Sequence, residues 1–172
     1  MHYFVLVTLL AASALLASAE ESDSDEQNYS FSDLVGSRSG TSFRITGEER
    51  LTAVRTWDNG ASIYAIQVRY GYIWSERVGS ALGQMQEILL EDDEAVIQVS
   101  GKYGLNIQWL VFVTNKGRSL YSGQPTGTSF NMYPEHQGAE LRFISGTSLR
   151  GALTGFATHW AVYPQESKSE EH

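Results

Sequence analysis

The sequence predicts an all-β fold. Apolar residues alternate over short runs rich in Val, Ile, Tyr, Phe and Trp, and they do not recur at helical spacing. Asn and Gly stand between the runs, where hairpins require positive φ, and successive runs lie about ten residues apart, the rhythm of a β-sandwich, barrel or prism. With 172 residues and no Cys, the chain is long enough for one core that needs no disulfide. The lack of Cys also excludes thiol catalysis and Cys-based zinc sites.

The elements follow in order. Tyr3 to Leu16 is an uncharged apolar run followed by Ala17-Ser18-Ala19, the small-x-small pattern of a secretory signal peptide. Residues 1–19 are therefore expected to be removed, leaving a secreted, extracellular chain that begins at Glu20; a run of about 14 residues is short for crossing a bilayer. Residues 20–35 read as an acidic, disordered arm that carries an N-glycosylation sequon at Asn28-Tyr29-Ser30. Strands are expected at Thr41–Thr46, Leu51–Trp57, Ser62–Tyr70, Met85–Leu90, Ala95–Ser100, Gln108–Thr114, Arg118–Tyr121, Thr128–Tyr133, Glu140–Ser145 and Leu153–Val162. Asp58-Asn59-Gly60 and Asn115-Lys116-Gly117 mark two hairpin turns. The domain spans 36–164, and 165–172 is a second acidic tail. A faint internal beat links Ile66–Gly71, Ile97–Gly104 and Leu141–Gly146, which suits three-fold pseudosymmetry.

The net charge of −8 sits mainly in the ends. Glu20, Glu21, Asp23, Asp25 and Glu26 contribute −5, the tail contributes −2, and the rest is nearly neutral with 11 basic and 12 acidic residues. No clustered positive field is available for a polyanion, so nucleic acid is excluded as a partner. The acidic ends read as solvated arms, with calcium or polyamine binding as the functional alternative.

No catalytic constellation or metal site can be assembled. His136 falls in a loop and His159 on a strand, without a carboxylate at ligand spacing, and no nucleophile elbow or phosphate loop is present. Glu91-Asp92-Asp93-Glu94 reads as a solvated turn, because it lacks the alternating carboxylates and Gly of a calcium loop. Trp57, Trp74, Trp109 and Trp160 mostly read as core, while presentation of aromatics to sugars or proteins stays open.

From about Gly36 to Pro164 the chain resembles the jacalin-related lectins, in particular the secreted animal group of zymogen granule membrane protein 16. Ile66–Gly71, Trp74-Ser75, Val96–Tyr103, Leu110–Thr114, Gly127–Asn131, Leu141–Gly146 and His159-Trp160 carry the resemblance. It implies a β-prism of three four-stranded antiparallel sheets with pseudo-three-fold symmetry. It also implies metal-independent binding of glycans or glycoproteins by loops at one end, with no cofactor and no catalysis. The positions that match the family's sugar loops are Ser39 and Gly40 in an early Gly-rich loop, Lys102, Tyr103 and Gly104 in a second loop, and Arg150, Gly151, Ala152, Leu153 and Thr154 before the last strand.

The chain departs from the family pattern at both defining places. The Asp that ends the family's Gly-x-x-x-Asp, where it accepts hydrogen bonds from mannose, is Thr154 here, and no acidic residue occurs between Ile144 and His159. The early glycines are interrupted by Arg38 and Ser39. Losing a charged acceptor costs about 1.5 to 3 kcal/mol, so plain mannose should bind weakly. Arg38, Lys102 and Arg150, if neighbours, would favour a sialylated or sulfated glycan. The alternative is a lectin fold without sugar binding that acts through protein contacts in secretory granules or mucosal fluid.

Overall fold

The computed structural model of the protein describes residues 28–163. The expected signal peptide, most of the acidic arm and the C-terminal tail lie outside the described residues. The elements are β1 (Tyr29–Phe31), β2 (Val35–Gly36), β3 (Thr41–Ile45), β4 (Leu51–Asp58), β5 (Ile63–Tyr70), β6 (Ile73–Trp74), β7 (Val78–Gly79), β8 (Gln84–Leu89), β9 (Val96–Tyr103), β10 (Ile107–Thr114), β11 (Ser119–Gly123), β12 (Thr128–Met132), β13 (Glu140–Leu149) and β14 (Ala152–Ala161). All ten expected strands are present, with β9 and β13 running further toward their C-termini than expected.

Three antiparallel sheets result. The first runs β1–β14–β13–β3 with β2 also on β14, the second β6–β5–β4–β8 with β7 also on β5, and the third β11–β10–β9–β12. In the first two sheets one outer strand is broken into two short pieces, so each sheet is four strands wide and the whole is a β-prism. β14, β5 and β10 meet around its axis. Val54, Ile66, Val68, Leu110, Phe112, Ile144, Phe156 and Trp160 are fully buried there, each contributing about 1.5 to 3 kcal/mol. Phe112 and Phe156 pack edge to face with centroids 6.3 Å apart.

Three expectations are corrected by this fold. Of the four Trp, only Trp160 is in the core; the other three are half-buried. Pairing places Trp57 beside Met85 and Trp109 beside Lys102, and Trp74 is roofed by Arg55, whose Cζ stands 3.7 Å from the ring centroid. The arm expected over 20–35 is ordered from Tyr29 onward. Its β1 pairs Tyr29 with Ala161 and Phe31 with His159, because β14 would otherwise present an unpaired row of backbone donors and acceptors.

The Glu91–Glu94 turn is also more than a solvated loop. The Glu94 side chain is fully buried and receives Arg118 Nη1 at 2.7 Å, the Thr114 hydroxyl at 2.6 Å and the Glu91 N–H at 2.8 Å. Burial alone would raise its pKa. The backbone, Thr114 and Arg118 hydrogen bonds prevail and hold it below the ordinary carboxylate value.

A three-fold device closes one end of the prism. In each sheet a loop that starts and ends on Gly crosses the tip of the central hairpin: Gly36 to Gly40, Gly79 to Gly83 and Gly123 to Gly127. All six glycines have φ between 83° and 100°. A Cβ on any of them would meet a hairpin carbonyl oxygen at 2.4 Å or less, belonging in order to Thr154, Ser148, Tyr64, Asp58, Gln108 and Tyr103. The loops therefore need Gly both for its left-handed backbone and for the close approach. Under each loop the hairpin carries a β-bulge. Thr147 and Ser148 pair with Gly155 and Leu153, Trp57 and Asp58 with Ala65 and Ile63, and Lys102 and Tyr103 with Trp109 and Ile107. The extra residues are Thr154, Tyr64 and Gln108. Each turns its carbonyl to the N–H that follows the first Gly of its loop, from Ser37 at 2.9 Å, Ser80 at 3.2 Å and Gln124 at 3.1 Å.

Candidate functional site

The sequence-derived residues gather on the first of these crossings. Ser39 and Gly40 lie in the loop over the β13–β14 hairpin, and Thr154 is the bulge residue beneath it. Thr154 is only 2% exposed. Its hydroxyl donates to the Ser39 carbonyl and lies 2.9 Å from the Thr147 hydroxyl. The Thr154 side chain, expected to stand at the family's acceptor position, therefore fastens the loop to the hairpin from inside. Ala152 and Leu153 are buried as well, Leu153 completely, so these two have chiefly backbone groups to offer at the turn.

Arg150 and Gly151 form the hairpin tip at φ 52° and 81°. The Gly151 carbonyl accepts the Ser80 N–H at 3.0 Å, joining this tip to the second sheet's crossing loop. The Arg150 side chain is exposed. Arg38, at φ 59°, turns its guanidinium back onto the Leu34 carbonyl, donating from Nε at 3.1 Å and Nη2 at 2.7 Å. The Ser37 hydroxyl donates to the Leu105 carbonyl at 2.8 Å, which brings the β9–β10 turn against the same loop. Gly104 lies in that turn, its N–H bonded to the Asn106 carbonyl at 2.9 Å.

Lys102 and Tyr103 are placed differently. Tyr103 packs its ring against Phe130, centroids 6.3 Å apart, and belongs to the rim of the core. Lys102 lies within the β9 ladder, opposite Trp109 on β10 and Ser129 on β12, so its side chain leaves from the face of the third sheet. Of the expected trio of Arg38, Lys102 and Arg150, Arg38 is engaged on the Leu34 carbonyl.

Sequence reading passed over Tyr64 and Gln108, which hold the same bulge position as Thr154 in the other two sheets. The signal was available as Gly-x-x-x-Gly repeated at intervals of 43 and 44 residues. The beat that was read instead joins β9 and β13, which are equivalent strands, to β5, which is the partner strand of its hairpin. At the far end, a cleft of about 460 Å³ is lined by Ile97, Tyr133, His136 and Glu140 among others; it is remote from the crossings. His159 lies on the outside of the first sheet, with Nε2 2.9 Å from the Ser145 hydroxyl and Nδ1 3.1 Å from the Tyr29 hydroxyl. Burial and then Arg44 lower its pKa. Among the described residues no group of three His, Asp or Glu could hold a metal ion, and no helix is long and apolar enough to cross a membrane.

Comparison with known proteins agrees with this architecture. The chain is 42% identical to zymogen granule membrane protein 16 of Rattus norvegicus, over 87% of this chain and 91% of that one. It is 41% identical to prostatic spermine-binding protein of Rattus norvegicus over 74% of this chain, which spans 47% of that longer protein. The crystal structure of a prostate-specific WGA16 glycoprotein lectin superposes with a TM-score of 0.69 and 31% identity, covering 78% of this chain and all of the other. Residues 32–153 match the Jacalin-like lectin domain, and the chain accordingly belongs to the jacalin-like lectin family.

Proposed function

We propose that the protein is a secreted, non-enzymatic, metal-independent carbohydrate-binding lectin whose site at the first crossing lacks the family's carboxylate acceptor. The observation that carries this reading is the Gly36–Gly40 loop held over the β13–β14 hairpin, which gathers backbone N–H and carbonyl groups of two loops at one end of a rigid prism. Pre-ordered backbone groups bind a hydroxylated ligand with little ordering cost. The contact set is Ser39, Gly40 and Arg150 to Thr154, with Gly104 contributed by the neighbouring turn. Without an ionised acceptor, affinity for mannose-type glycans falls about ten- to a hundredfold relative to a member that has the Asp. Sialylated or sulfated glycans are the better candidates, with Arg150 as the exposed cation at the tip. The names of the relatives, with their secretory granule, suit a secreted product, and Asn28, exposed at the start of β1, is the expected glycosylation site.

One observation favours a second reading. The Thr154 hydroxyl is committed to Ser39 and Thr147, so nothing at the family's acceptor position is left for sugar. In that case the prism acts through protein contacts in granules or mucosal fluid. A glycan array with the secreted protein decides between them, using matched mannosides, sialylated and sulfated structures at low and physiological salt. Binding to any class that falls on Arg150→Ala supports the first reading. No binding by a protein with an all-β far-UV circular dichroism spectrum supports the second.

A further inference from the structure

We propose that the third sheet carries its own saccharide site, on its outer face at the Gln108 bulge, and that this site takes a sugar bearing a carboxylate or sulfate. The inference rests on the carbohydrate reading of the fold but moves the contact away from Thr154.

The three crossings share one backbone and differ in the side chain at the bulge. At the first, the Thr154 hydroxyl is consumed inside the protein. At the third, Gln108 stands in that place. Its carboxamide oxygen lies 3.3 Å from where a Cβ on Gly104 would stand and 2.4 Å from one on Gly127, so the amide is seated between the β9–β10 turn and the crossing loop. Gln108 is half-buried as a residue, and among the described residues its amide makes no hydrogen bond. A primary amide offers two donors and one acceptor, which suits adjacent sugar hydroxyls.

Register then supplies the neighbours. Directly paired residues of antiparallel strands share a face, and the row across this sheet reads Gly123, Trp109, Lys102, Ser129. In the first sheet the corresponding bulge pair, Thr147 and Thr154, is in hydrogen-bond contact, so Lys102 and Gln108 lie side by side on the same geometry. β9, β10, β11 and β12 contain one charged residue among them, Lys102, and no carboxylate. Lys102 is half-buried as a residue and forms no ion pair among the described residues. The one cation of the sheet, beside a half-buried indole, a primary amide and the Ser129 hydroxyl, matches an acidic saccharide. Lys102 would pair with the acid group, Trp109 would cover the apolar face of the ring, and Gln108 and Ser129 would bond its hydroxyls.

The test uses the full secreted chain and three soluble probes that share one core: lactose, 3′-sialyllactose and 3′-sulfolactose. Binding is followed by two-dimensional amide NMR for the wild type, Lys102→Gln, Gln108→Ala and Arg150→Ala. The expected result is that the two acidic probes bind about tenfold or more tightly than lactose. They should shift amides of 101–109 and 123–129, lose that preference in Lys102→Gln and weaken in Gln108→Ala, and the shifts at 101–109 and 123–129 should persist in Arg150→Ala whatever happens at 149–155. Shifts confined to 36–40 and 149–155, lost with Arg150→Ala and indifferent to Lys102→Gln, would overturn this site while leaving the lectin reading intact. Absence of binding by all three probes to the folded protein would overturn this site, and the glycan array then decides the lectin reading separately.

Discussion

The hydroxyls of Thr147 and Thr154 face each other at 2.9 Å across a bulged hairpin, and one of them continues to the Ser39 carbonyl. Thr154→Val keeps the shape and removes this bridge. We expect a loss of about 1 to 2 kcal/mol in urea denaturation, with faster amide exchange in residues 37–40. Thr154→Asp is expected to be worse, since a carboxylate in this buried position would face the Ser39 carbonyl with no donor to offer. Reinstating the family acceptor alone should therefore unfasten the loop without producing tight mannose binding.

Gly36→Ala, Gly79→Ala and Gly123→Ala should each be severely destabilising, because each Cβ would stand within 2.2 Å of a backbone oxygen at positive φ. Gly117→Ala is the control: its φ is 74° but nothing lies within 4 Å, so only the backbone cost of about 1 kcal/mol applies. Chemical denaturation of the four variants should separate them by about 2 kcal/mol or more. Equal midpoints would refute the clasp.

Glu94 gives the fold an acid-sensitive point. Its folded pKa lies below the ordinary glutamate value of 4.5, so it favours the folded state above that value and the contribution is lost as pH falls through the folded pKa. Glu94→Gln should lower stability at pH 7 by about 1 to 3 kcal/mol. Its melting temperature should also fall less steeply than that of wild type on acidification below the ordinary carboxylate range. Parallel curves would assign the acid slope to other groups.

Tyr70 closes the opposite end, its hydroxyl shared between the carbonyls of Ile45 at 3.1 Å and Arg142 at 2.9 Å. Burial pushes its pKa upward. Tyr70→Phe leaves both carbonyls without this donor and should cost about 1 to 2 kcal/mol. The absorbance of the phenolate should show a Tyr in the wild type that titrates at higher pH than the others and is missing in the variant.

Much of the prism was legible because each strand of a half-buried sheet alternates, and the ten expected runs are where the alternation says. The four elements that were not foreseen, β1, β2, β6 and β7, have two or three residues each, too few to establish a period. β1 was also masked by the acidic residues just before it, although Tyr29 and Phe31 flank the buried Ser30 in strand fashion. The site was less readable. The resemblance put Thr154 where the family pattern expects Asp, but only the bulge determines that its hydroxyl points inward to Ser39. Likewise Glu94 looks like one carboxylate of four until Arg118 and Thr114, 24 and 20 residues away, arrive beside it. The triple Gly-x-x-x-Gly lay open in the sequence, and recognising it requires knowing that two loop ends must touch carbonyls.

The N–H of Val162 donates to the Asn28 carbonyl at 3.0 Å, and β14 runs ten residues from the hairpin tip at Ala152 to its end at Ala161, a span of about 30 Å. The chain thus enters and leaves the prism side by side, on the face farthest from all three crossings. Whatever is attached at either point, a glycan at Asn28, a fusion partner or an immobilising tag, hangs behind the molecule. A surface linked through Asn28 or Val162 would present the three loops outward like the head of a stamp.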